Sequence, residues 1–316
     1  TMTEFRVGFH AFHTNNAINF QMNRWYSFGS INYEELMAAG KKIQNFDDWT
    51  QEFCLLAEQA RKKGDMVAHA TYLRAAQFFT LGDARDEGGE LLKISLYEKC
   101  MAAYQQAYQN TGIEYVRIPY TDGYLPVLYK LHEQGAKGTI VIHGGYDAFI
   151  QEFIPFLFYA YEHHYNVYMF EGFGQGEVLN RCGMKMIPEW EKCTSPVLDY
   201  FGIEDVTLIG ASLGGYLAAR AAAFEPRITR VVLYDIIYDF YGALMSKIPG
   251  PLRLLLTHLL KNENHFLWPM MERKFTKTCF GNWLLRQGCY VYGVENLAQY
   301  LNHVKEYNTR EISPMI

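Results

Sequence analysis

No apolar run in this chain is long enough to cross a bilayer. The longest, such as Ala218–Phe224, fall far short of the ~20 residues a spanning helix needs. The first residues, 1–9, carry charges at Glu4 and Arg6 and lack the apolar centre of a signal peptide. None of the six cysteines, at 54, 100, 182, 193, 279 and 289, forms a CxxC pair, and no Cys/His set has zinc-finger spacing. That speaks against a disulfide scaffold and a structural zinc, and leaves reduced, small buried side chains in a cytoplasmic protein. An excess of positive charge is missing as well. The net charge of −5 provides no footprint for a nucleic-acid partner. There is no internal repeat and no low-complexity tract.

What the chain does contain is a core. Its 316 residues are 49% hydrophobic and 20% charged, enough to bury one large domain or two ordinary ones. Aromatics reach 16%, which fits either a deep apolar cavity or a plain aromatic interior. The first third has helical periodicity. Trp49, Phe53, Leu56 and Ala60 recur on one face, as do Tyr72, Ala75, Ala76 and Phe79, and then Ile94, Tyr97, Met101, Tyr104 and Tyr108. Gly64-Asp65 and Gly82-Asp83 punctuate these stretches.

Near residue 113 the period changes. Residues 113–119 and 125–132 read as strands around Thr121-Asp122-Gly123. Short apolar runs follow at 139–143, 166–171, 206–210 and 230–234, each separated from the next by a helical stretch. That alternation predicts a parallel sheet covered on both faces. From about 240 to 308 no strand-like run appears, and the segment reads as a helical insertion over the carboxyl edge of the sheet.

Three motifs carry chemistry. Gly210-Ala211-Ser212-Leu213-Gly214-Gly215 follows one predicted strand and opens a helix. That is the context of a nucleophile elbow, in which serine sits on a strained turn and its neighbours two residues away must be glycine-sized. His143-Gly144-Gly145-Tyr146 follows an earlier strand and suits the loop that donates a second oxyanion N–H. Gly145 and Leu213 are the expected donors. His143 precedes the serine, so it reads as a structural loop histidine, since the base follows the nucleophile in this order of motifs. The third motif, residues 171–177, fails as a dinucleotide fingerprint because Glu177 stands where glycine is required. It reads as a tight turn beneath the site, with Glu171 orienting the loop or lining the site.

In their order, GGYDAF, EGFGQGE and GASLGGY resemble the α/β-hydrolase superfamily. The stretches NFDDWTQEF and ATYLRAAQFF are similar to the helical front domain of one branch of it. That branch contains dihydroxypseudooxynicotine hydrolase, fungal heptaketide hydrolases and FrsA-type esterases, and borders the acylaminoacyl-peptidase-like enzymes. The resemblance covers roughly residues 20 to 240. It implies a Ser–Asp–His triad, no metal or other cofactor, and hydrolysis of an ester, an amide or an activated carbon–carbon bond in a small organic substrate. Two departures stand out: Glu171 and Phe173 occupy positions where the branch usually has Asp and Pro. The family's acid and histidine follow the last two sheet strands, for which this sequence shows no clear run. Ile312–Ile316 looks like the approach to the first of them, so the expectation is a chain incomplete at its C-terminal side. Asp235 and Asp239, and His258, His265 and His303, are the candidates within it.

The expectation is therefore an α/β-hydrolase fold, with a mostly parallel sheet flanked by helices. An N-terminal helical lid is expected over residues 1–112 and a core over 113–316, with the insertion after the sixth strand. Ser212 is the catalytic nucleophile, Gly145 and Leu213 form the oxyanion hole, and Glu171, Asp235 and Tyr146 line the site. The expected partner is a small-molecule substrate, with no nucleic acid, membrane or metal, and with a homo-oligomer left open. The competing readings are an inactive binding scaffold and an acyltransferase.

Overall fold

The computed structural model describes residues 5–82, 84, 88–246 and 248–316. Glu4 and Asp83, singled out above, lie outside them. The chain divides into two compact units: residues 1–113 with 276–287, and residues 114–275 with 288–316.

The first unit is helical. It contains α1 (Asn16–Ser27), α2 (Tyr33–Gly40), α3 (Phe46–Lys63), α4 (Met66–Phe78) and α5 (Leu92–Tyr108). The Gly64-Asp65 break works as its residue types predict. Gly64 takes a left-handed φ of 78° and closes α3, and the Asp65 carboxylate accepts the Ala68 N–H to open α4. The periodic residues Trp49, Phe53, Leu56 and Ala60 are all buried. Two buried indoles of this unit spend their polar edges on backbone. Trp49 Nε1–H donates to Ala75 O at 2.6 Å, and Trp283, from the later stretch of this unit, donates to Phe78 O at 3.0 Å.

The second unit is built on a six-stranded sheet. Its strands are β1 (Glu114–Tyr120), β2 (Gly123–Lys130), β3 (Thr139–His143), β4 (Asn166–Phe170), β5 (Val206–Ala211) and β6 (Ile228–Tyr234). Their order is β1-β2-β4-β3-β5-β6. The β1–β2 hairpin is antiparallel, as is β2 against β4, whereas β4, β3, β5 and β6 run parallel. The continuous apolar runs form the parallel part, where β3, β4 and β5 are largely buried and β6 is partly exposed. Helices α6 (Ile154–Glu162), α7 (Gly176–Cys182), α8 (Glu191–Phe201) and α9 (Leu213–Phe224) alternate with those strands. After β6 come α10 (Phe240–Met245), α11 (Gly250–Leu259), α12 (Trp268–Phe275), α13 (Cys279–Tyr292) and α14 (Leu297–His303), in the region expected to hold a helical insertion. Strand β5 lies inside the sheet and β6 at its edge, where Val232 and Tyr234 are exposed. No helix of the described residues is long and apolar enough to cross a membrane.

Candidate active site

Ser212 stands between β5 and α9 with φ 60° and ψ −124°, a backbone conformation that non-glycine residues adopt only under strain. The turn is pinned on both sides. Ser212 N–H donates to Tyr234 O of β6 at 2.8 Å, and Gly215 N–H donates to Ser212 O at 2.8 Å. The turn is also tight enough to dictate its composition. A Cβ on Gly210 would stand 1.9 Å from Gly214 O. The serine side chain is exposed.

The loop after β3 lies directly against this turn. A Cβ on Gly145 would meet Leu213 N at 2.8 Å and Gly214 N at 2.7 Å, so the backbone of the two loops is in contact there. Leu213 is the first residue of α9, where backbone N–H groups lack helical acceptors. Neither Gly145 N–H nor Leu213 N–H donates to any group among the described residues. Two unspent donors therefore lie beside the exposed serine, at a helix N-terminus where the backbone supplies positive potential.

Beneath this pair lies a set of buried polar groups. His143 is fully buried against Phe170 and Trp190, and its Nδ1–H donates to Gly144 O at 2.8 Å. Burial pushes its pKa down to about 4, so the ring is neutral at pH 7. Glu171 is buried as well. Its Oε1 accepts the Ile150 N–H at 3.0 Å and its Oε2 accepts the Glu177 N–H at 2.6 Å. It therefore ties the loop after β3 to the loop after β4, in the orienting role that the glycine-rich turn suggested. Burial raises its pKa to about 7, against the pull of those two N–H groups. Gln175, also buried, sends Nε2–H to Gly144 O at 2.8 Å and Gly145 O at 3.0 Å, while its Oε1 accepts the Gly172 N–H at 3.1 Å.

No family model matches the chain. Among curated proteins it is similar to the hydrolase acrC of Aspergillus aculeatus, with 29% identity over 304 residues, covering 83% of this chain and 70% of that protein. It is also similar to the α/β hydrolase psoB of Aspergillus fumigatus, with 32% identity over 257 residues, covering 69% of this chain but only 57% of that protein. Among solved structures, 2,6-dihydroxy-pseudo-oxynicotine hydrolase superposes with a TM-score of 0.59 at 20% identity, covering 96% of this chain and 78% of that one. The chain belongs to the α/β-hydrolase superfamily.

The other candidates of this α/β-hydrolase are dispersed. Tyr146 is half-buried, its ring 5.7 Å from that of Tyr292 and 6.0 Å from that of Phe240. Asp235 follows β6 with φ 61° and is exposed. Asp239 caps α10 by accepting the Gly242 N–H at 2.8 Å. His258 is exposed on α11, and His265 stacks on Phe266. His303 packs 4.5 Å from the Tyr292 ring, and burial lowers its pKa. Among the described residues the Ser212 hydroxyl makes no hydrogen bond to any of these. Gln175 escaped sequence reasoning altogether. Its only signal was a long amide inside a glycine-rich turn, where small residues are the rule.

Proposed function

We propose that this α/β-hydrolase acts through a serine acyl-enzyme on an ester, an amide or an activated carbon–carbon bond of a small organic substrate. The observation that carries the reading is Ser212 held at φ 60° beside two undonated N–H groups, those of Gly145 and Leu213. In the proposed sequence Ser212 Oγ attacks the substrate carbonyl carbon as a general base takes its proton. The oxygen of the tetrahedral adduct accepts from the Gly145 and Leu213 N–H groups. The adduct collapses to the acyl-enzyme as the leaving group departs with a proton, and water then releases the acid. Glycine neighbours leave room for this backbone approach. The helical unit is assigned the role of a lid.

The test is covalent labelling of the full-length native protein by a fluorophosphonate, read by peptide mass mapping. The expected result is one adduct on Ser212, absent in Ser212→Ala, with ester turnover lost by about 10⁴-fold or more. An unlabelled wild-type protein, or a Ser212→Ala protein with near-normal turnover, would overturn the reading.

A further inference from the structure

We infer that Gln175 is a positioning residue that holds the oxyanion hole in its open form. The inference rests on the serine-hydrolase reading above and concerns how its charge-stabilising half is kept in place. A planar trans peptide points its C=O and its N–H in opposite directions. The Gly144 carbonyl and the Gly145 N–H belong to one such peptide. Fixing the carbonyl therefore fixes the direction of the donor on the other side.

Two groups hold that carbonyl, Gln175 Nε2–H and His143 Nδ1–H, each at 2.8 Å. Gln175 also takes the next carbonyl, Gly145 O, at 3.0 Å. One side-chain amide thus grips two consecutive peptides. The grip matters because Gly144 and Gly145 lack side chains, and a glycine pair has almost no intrinsic preference against a peptide flip. A flip would give up the bonds at Gly144 O and turn a carbonyl toward the Leu213 N–H. The hole would then be filled by the protein's own oxygen. Close packing of Gly145 on the elbow limits translation of the loop, and Gln175 limits its rotation.

Gln175 is itself well anchored. Its Oε1 accepts the Gly172 N–H, and its backbone N–H donates to Gly172 O at 3.1 Å. The turn after β4 therefore presents this amide to the loop after β3 in one orientation. Buried amides of this kind act by preorganisation, since their bonds are already made before charge develops.

The experiment compares wild type, Gln175→Met and Gln175→Glu in the full-length native protein, with a p-nitrophenyl ester as substrate. Methionine keeps the volume and removes the donors. We expect kcat to fall by ~10- to 100-fold with KM within about twofold, because the oxyanion forms only after binding. Inhibition by a boronic acid, which mimics the tetrahedral adduct, should weaken in parallel. In Gln175→Glu the carboxyl can donate to Gly144 O only when protonated. Its activity relative to wild type should therefore rise as pH falls. His143, Glu152, Glu171 and Glu177 face the site in both proteins, so each variant is compared with wild type at every pH. A purely structural role would give no such rescue. If wild type is labelled on Ser212 and Gln175→Met keeps its kcat, the positioning role is overturned while the serine reading stands. If Gln175→Met does not fold, the pH ratio of Gln175→Glu decides, and a flat ratio overturns the inference. An unlabelled wild type removes the serine reading and this inference with it.

Discussion

Two neighbourhoods flank Ser212 at the carboxyl end of the sheet, and they are built differently. On one side the loops after β3 and β4 close on each other through buried polar groups. His143, Glu171 and Gln175 are almost completely buried, and each spends its hydrogen bonds on backbone of those two loops. On the other side, after β6, Asp235, Ile236 and Tyr238 are exposed. The outer edge of β6 pairs with no strand among the described residues. The first neighbourhood is closed and hydrogen-bonded. The second is open, and the acidic group it carries is solvated. Buried polar networks resist change because each lost partner strands another group. Solvated strand ends tolerate change.

That contrast can be broken by substitution. The largest effect on folding is expected at the contact between the elbow and the first neighbourhood. A Cβ on Gly214 would stand 2.5 Å from Gly144 O, so Gly214→Val must push two backbones apart. The expected loss is about 3 kcal/mol or more, read by urea denaturation. A variant with unchanged stability would mean that the two loops are not in contact.

A smaller effect should appear in the pH dependence of stability. Glu171 has its pKa raised from 4.5 to about 7, so the folded protein holds that proton more tightly than the unfolded chain. Its contribution is present below pH 4.5 and is lost as pH rises through about 7. His143 runs the other way. Its pKa falls from 6.5 to about 4, so its contribution is present above pH 6.5 and is lost as pH falls through about 4. The two oppose each other across the shared window. Glu171→Gln removes the first and leaves the second. Whatever constant cost the amide adds, the variant should gain on wild type between pH 4.5 and 7 and run parallel to it above, as read by denaturation at a series of pH values. A constant offset throughout would show that Glu171 titrates normally.

The smallest effect is expected on the open side. Val232 is 44% exposed on β6. Val232→Thr should change stability by no more than about 0.5 kcal/mol, and light scattering should show less self-association, because an apolar edge strand invites pairing. A large loss of stability there would erase the distinction between the two neighbourhoods.

Much of this was legible in the residues. The inner parallel strands β3, β4 and β5 could be read because they are largely buried, which leaves uninterrupted runs such as Thr139–His143, and β6 could be read from its apolar residues although much of it is exposed. The Gly64-Asp65 turn was visible because each residue does locally what its type favours. The tight turn at Ser212 was visible because the close approach of Gly210 to Gly214 admits only glycine. What escaped reading depends on partners distant in sequence. Gln175 acts on Gly144 and Gly145, a separation of 30 and 31 residues that no local pattern reports. Residues 276–287 group with the N-terminal helices, yet Phe280 and Trp283 have the same helical spacing as their neighbours, so nothing in that period distinguishes them. The candidate acids and histidines had no fixed spacing to test, and most of them cap helices or pack on rings.

The conformation of Ser212 has a consequence for how this sequence drifts. A serine at φ 60° and ψ −124° costs of order 1 kcal/mol that glycine would not. Random substitution under selection for stability alone would therefore move position 212 toward glycine in few steps. A lineage that had stopped using the hydroxyl would be under steady pressure to lose it. On the nucleophile role proposed above, the strain at Ser212 and the space cleared by the glycines at 210 and 214 are what it costs to hold one hydroxyl out of the sheet.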